Sequence, residues 1–170
     1  GPDRFMIGCA VAGTVLASRR AANPIGWFLL GLGLVEAARG LAGEYARQAL
    51  TGPSHADAVW AVWFVNWSLI LLFPAGLLTF LLLLFPDGRP LTRRWWAVSW
   101  FAAGTVVASL LIVWLDPGPI KLVDGLPSVP NPTAIRGWVR LSGGALGGTV
   151  WLLGWVAVLL AAASVVLRYR

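Results

Sequence analysis

The sequence predicts an all-α fold, a polytopic membrane helical bundle of about five transmembrane helices, and three observations carry that expectation. Apolar residues supply 58% of the chain and charged residues only 12%, about half the share of ~25% usual in soluble domains, and mean hydropathy is +0.77. The apolar residues come in long runs separated by short turns rich in Pro, Gly and Arg. Lys and Arg are unevenly shared among those turns: Arg19 and Arg20, then Arg89, Arg93 and Arg94, then Arg168 and Arg170 hold seven of the thirteen. Under the positive-inside bias, these topology anchors put the first turn, the third turn and the C-terminus in the cytoplasm and the N-terminus outside. No polar tract is long enough for a second folded unit, so residues 1–170 read as one transmembrane domain of a multi-pass plasma-membrane protein.

The first apolar run, residues 5–18, would rise only about 21 Å against a hydrocarbon core of roughly 30 Å. Either that helix is short or it begins upstream of this sequence. The second helix, residues 25–45, follows Asn23-Pro24 and differs from the others in carrying charge inside it, at Glu36 and Arg39. Glu36 falls about 16 Å past Ile25, near the bilayer midplane, where an acid must be protonated or paired, with Arg39 or with a neighbouring helix. Gly33, Gly40 and Gly43 share its face at spacings of three and four, which predicts a helix-packing surface. His55, in the loop QALTGPSHAD, reads as a solvated loop residue before a pH sensor.

A third helix over residues 58–85 is long enough to tilt, with Pro74 and Gly76 marking a kink. Trp60, Trp63 and Trp67 recur along it at spacings of three and four, beside Asn66. Core packing is the first explanation of that stripe and a ligand wall the second. Leu84-Phe85-Pro86-Asp87-Gly88-Arg89-Pro90 then forces the chain to stop and turn, because Pro cannot continue a helix and Gly permits reversal. The fourth helix, residues 95–114, has tryptophans at both ends, as interfacial anchoring predicts.

Residues 116–132 hold five prolines and no helical period, so they form an irregular outer loop or lid. Residues 133–141 (TAIRGWVRL) predict a short interfacial helix, with Ile135, Trp138 and Leu141 apolar and Arg136 and Arg140 turned to phosphates. The fifth helix spans residues 144–167. Gly143 with Gly147 and Gly144 with Gly148 are small pairs four apart that can seat another helix, within the chain or across a dimer.

Chemistry-bearing motifs are missing from the sequence. One His and one Cys, with no nucleophile elbow, zinc motif or P-loop, leave no candidate for catalysis, metal or another cofactor. Cys9, being single, cannot form an internal disulfide. The net charge of +6 points to membrane lipid and not to nucleic acid, since no basic stripe interleaves with exposed aromatics.

Two motifs carry a resemblance. Asn23-Pro24-Ile25-Gly26-Trp27-Phe28-Leu29-Leu30, after Ala17-Ser18-Arg19-Arg20, and the turn Leu84-Phe85-Pro86-Asp87-Gly88-Arg89-Pro90-Leu91-Thr92-Arg93-Arg94-Trp95 resemble the membrane-embedded sensor region of histidine kinases common in actinobacteria, members of two-component systems. Pro130-Asn131-Pro132 followed by Trp138 is similar to a later loop of that group. The resemblance implies a sensory module whose last helix continues into cytoplasmic signalling helices of a homodimeric kinase. It supplies neither a ligand nor, in these residues, a phosphoacceptor His or an ATP site, so kinase activity would belong to a longer parent.

The leading expectation is therefore a signal-input module that detects an amphiphilic, lipid-like compound or a membrane state and moves its last helix. A transport or channel subunit and a structural scaffold are the alternatives. If an amphiphile binds, helical depth predicts a pocket lined by Glu36, Arg39, Trp63, Asn66, Trp67, Trp151 and Trp155. Polar groups among aromatics suit a head that needs hydrogen bonds and a body that needs apolar contact. The competing expectation is that these side chains fill one another's space.

Overall fold

Long apolar runs without breakers become helices here, and each break can be traced to a Pro- or Gly-containing segment. The computed structural model describes residues 8, 11, 13–15, 18–19, 24–52, 58–72, 76–85, 88–122, 126–137, 140 and 143–169. Five helices have described bounds: α1 Pro24–Thr51, α2 Ala58–Leu72, α3 Leu77–Leu84, α4 Trp95–Leu115 and α5 Ala145–Arg168. The described residues from 8 to 19 are helical too, and Gly13 lies so close to the Leu29 and Leu30 backbone that a Cβ there would collide. The rest of the first predicted helix, with Cys9, Arg20, His55, Pro74, Trp138 and Arg170, lies outside the described residues. No strand occurs among the described residues, only a single antiparallel bridge between Ile120 and Val129.

α1, α4 and α5 are long and apolar enough to cross a bilayer, which marks this as a membrane protein. Three expected boundaries are corrected. α1 continues six residues beyond 45, because nothing in the run to Thr51 stops it; the Thr51 hydroxyl donates back to the Arg47 carbonyl at 3.0 Å. The third predicted helix is two helices. α2 and α3, at 15 and 8 residues, would each rise only about 22 and 12 Å, and between them Gly76 packs against the Leu71 carbonyl where a Cβ would collide. The interfacial helix over 133–141 does not form among its described residues, which are turn and irregular backbone. Gly137 adopts φ 87°, a left-handed conformation that ends helical progress, and the Thr133 amide and hydroxyl are committed to Asn131 and Trp114.

α1 runs antiparallel to α2 and α3 in one register. The Gly43 face meets Val65, with 3.9 Å from an added Cβ to Cγ2; further along, Phe28 stacks on Phe80 at 6.1 Å and 5°. Because the register is the same on both sides of the α2–α3 break, Leu32 comes opposite Gly76 and Glu36 opposite Leu72, the last residue of α2. α5 packs on α3 and α4, and has no contact with α1 or α2. Its buried seam, Val150, Gly154, Ala157, Ala161 and Ser164, repeats at four and three, the spacing of one helix face.

Two cores mark the two ends. At the loop end, Ala46, Leu50, Ala58 and Val62 bury together with Val129 of the α4–α5 connection, and Ile120, Leu122 and Leu126 pack around them. At the turn end, Leu83, Ala102, Ala157 and Ala161 form the other core. Gly88 takes φ 73° and donates its N–H to the Leu84 carbonyl at 2.7 Å, closing the turn as the sequence predicts.

Candidate functional site

The charged pair expected in α1 is made within that helix. Arg39 Nε and Nη2 donate to Glu36 Oε2 and Oε1 at 2.7 and 2.6 Å, a bidentate fork across one helical turn. Both side chains are half-buried and belong to the stripe Leu32, Glu36, Arg39, Gly43, Ala46, Leu50, whose Gly43, Ala46 and Leu50 face α2. Gly33 is buried as expected, whereas Gly40 is exposed, with open space where a Cβ would stand. By the same register the pair sits opposite the last turn of α2, just before the α2–α3 break.

The Trp stripe of α2 is an aromatic core. Trp63 and Trp67 lie 5.7 Å apart, and both pack on Trp114 of α4, at 5.9 and 5.7 Å. Trp60 meets Trp63 edge-on but is mostly exposed. Trp114, at the end of α4, is half-buried against α2, and the indole N–H groups of Trp67 and Trp114 are buried without an acceptor.

Above this cluster, Pro130-Asn131-Pro132-Thr133 caps α4. A helix end leaves its last carbonyls unpaired. Asn131 Nδ2 reaches the carbonyls of Val113, Trp114 and Asp116 at 3.0, 3.2 and 2.8 Å. The Thr133 hydroxyl donates to the Trp114 carbonyl at 2.7 Å and accepts from Trp63 Nε1 at 2.9 Å. Asn131 Oδ1 accepts the Thr133 N–H at 3.2 Å. The motif that carries part of the resemblance is therefore a long-range helix cap that ties α2, α4 and the loop together. Beside it opens a groove of about 500 Å³ lined by Pro117, Pro119, Pro130, Asn131, Pro132, Ala134 and Arg136.

The seven residues of the predicted pocket do not converge. Trp63 and Trp67 come together. Asn66 is half-buried on the same helix but not level with Glu36, because α1 ends at Thr51 instead of 45. Counted from the loop end, Glu36 is about 22 Å deep and Asn66 about 12 Å. Trp151 and Trp155 stack edge-on with each other at 5.6 Å, remain exposed, and stand on a helix that touches neither α1 nor α2. The glycines at the start of α5 are likewise outside the bundle: Gly143, Gly144 and Gly148 are exposed, Gly147 is half-buried, and an added Cβ at Gly143 or Gly148 would meet nothing within 4 Å. The small-residue seam lies one to five turns later, where α3 and α4 run alongside.

At the other end, Arg168 acts as a latch between chain segments. Its Nη2 donates to the Leu83 carbonyl at 3.1 Å and to that of Arg89. Arg89, Arg93 and Arg94 stay exposed, as does Arg19. Among the described residues no three His, Cys, Asp or Glu side chains gather as a metal site would require. No family model, curated protein or solved structure matches the chain.

Proposed function

We propose that the protein is a signal-input module of the plasma membrane, with its N-terminus outside, its C-terminus in the cytoplasm and five crossings, the third made by α2 and α3 in series. It responds to an amphiphilic compound or to the state of the bilayer and passes the change on through α5, in the manner the kinase resemblance implies for a homodimeric parent. The observation that carries this reading is the Arg168 latch. α3 is a half-helix beyond a break, it packs on α5, and its last turn and the following loop hold the end of α5 through Arg168. A tilt of α3 about the break therefore moves the cytoplasmic end of α5. The Glu36–Arg39 pair, opposite the last turn of α2 before the break, supplies polar contacts in apolar surroundings, a costly arrangement that favours a switching role over a passive scaffold.

Spin labels at Thr92→Cys and Tyr169→Cys in a Cys9→Ser background report the latch directly in proteoliposomes. The expected result is a shift of the 92-to-169 distance distribution on adding lysophospholipid or thinning the bilayer, reproduced in part by Arg168→Gln. An unchanged distribution under all three treatments would remove the basis for the reading. A transport role has one observation of its own, since a broken helix beside a charged pair also describes many transporter sites. Solute or ion flux in the same proteoliposomes would establish it in place of sensing.

A further inference from the structure

The groove beside the α4 cap is chemically distinctive. Four of its seven lining residues are prolines, which present rigid apolar rings and no N–H donor. Asn131 is almost wholly buried, and both of its amide hydrogens are engaged by the α4 carbonyls. The donor left for an occupant on the groove wall is the exposed Arg136. Gly118 lies between Pro117 and Pro119, and a Cβ there would stand 3.0 Å from Asp116 Oδ1, 3.3 Å from Arg140 Nε and 3.4 Å from Cζ, so a second guanidinium flanks the same wall beside a buried carboxylate that accepts the Gly118 N–H at 2.7 Å. The exposed Arg136 forms no ion pair among the described residues. A volume near 500 Å³ is within the common range for small-molecule sites, about 300 to 1,000 Å³.

We infer that this groove binds the headgroup of an anionic phospholipid from the leaflet at the loop end. Arg136 and Arg140 hold the phosphate, and the proline rings cover the glycerol and the first acyl carbons. The site lies where a lipid headgroup lies, at the end of the bilayer-crossing α4. Two arginines beside one carboxylate leave a net positive charge, which favours a phosphate through charge-assisted, forked hydrogen bonds. The wall beside them suits an ester-linked apolar body better than a hydrated free ion. Because Asn131 and Thr133 join the groove to α4 and Trp63, occupancy bears on the helix cap itself. This inference deepens the input reading by naming a ligand class and a site.

Native mass spectrometry of the whole chain released from nanodiscs of equal phosphatidylcholine and phosphatidylglycerol tests it. One phosphatidylglycerol is expected to stay bound. Arg136→Gln with Arg140→Gln lowers its occupancy at least about tenfold, the usual scale for losing charge-assisted hydrogen bonds. Ala134→Trp, which fills the groove and keeps both arginines, does the same, while Arg93→Gln with Arg94→Gln at the opposite end leaves binding intact. Equal retention of phosphatidylcholine, wild-type retention in the Arg136/Arg140 variant, or displacement of the lipid by millimolar inorganic phosphate would each overturn the assignment. Circular dichroism confirms that the variants keep their helices, and the Arg136 and Arg140 changes, both at exposed positions, keep the test open if Ala134→Trp fails to fold. Binding is read without any output. Loss of lipid with an intact α5 response defeats this site alone, and retained lipid without a response defeats the input reading alone.

Discussion

The two ends of the bundle are held by different means. At the loop end, Asn131, Thr133 and Trp63 tie three segments of chain with side-chain hydrogen bonds, over a core closed by Val129. At the turn end, the Arg168 side chain reaches the backbone carbonyls of Leu83 and Arg89 from the end of α5. Buried and mutually satisfied networks are rigid. A single long arginine partly open to water gives way far more easily. The contrast assigns the fixed frame to α1, α2 and the loop-end half of α4, and the yielding part to α3 and the end of α5.

The largest effect should come from breaking the cap. Asn131→Ala leaves the Val113, Trp114 and Asp116 carbonyls without their shared donor, and is expected to cost about 2 to 3 kcal/mol. Thermal unfolding in detergent measures it; a loss below half a kcal/mol would mean that the cap is ornamental and both ends are alike. Gly76→Ala should follow, at about 2 kcal/mol, because its Cβ would collide with the Leu71 carbonyl and force α3 to move relative to α2. The same substitution sharpens the comparison if hydrogen exchange rises in α3 and leaves Thr133 untouched. Smallest is Gly148→Ala, where nothing lies within 4 Å; stability should rise by no more than about 1 kcal/mol, the ordinary helix preference of Ala over Gly, and a change in dimer content by cross-linking would show that a second copy seats there.

Helix placement was largely legible because composition and breaker residues act locally: Pro24 starts α1, the Pro86 to Pro90 turn separates α3 from α4, and Gly144 precedes α5. Local rules fail where a residue has a distant partner. Ile135, with Arg136 and Arg140 around it, has the spacing of an amphipathic helix, but Thr133 is held by Trp114 nineteen positions earlier, and Gly137 takes a left-handed turn. The site was less legible than the fold. Glu36 is level with Asn66 only for an α1 that ends at 45, and the six-residue extension to Thr51 shifts the two apart by about 9 Å. Trp151 and Trp155 carry the composition of a ligand wall, yet only tertiary packing decides which side of α5 they occupy. Asn131 was visible as part of a motif; its work as a cap for α4 depends on loop closure, which no spacing encodes.

Hydrogen exchange in nanodiscs compares the two ends most directly. The amides that close the cap, Thr133 and Ile135, whose N–H groups bond Asn131 and Leu115, should exchange at least about tenfold more slowly than Phe85 and Gly88 in the turn. Arg168→Gln should speed exchange at Phe85 and Gly88 and leave Thr133 and Ile135 unchanged. Equal protection at both ends, or an Arg168→Gln effect that spreads to the cap, would contradict a fixed loop end joined to a yielding turn end.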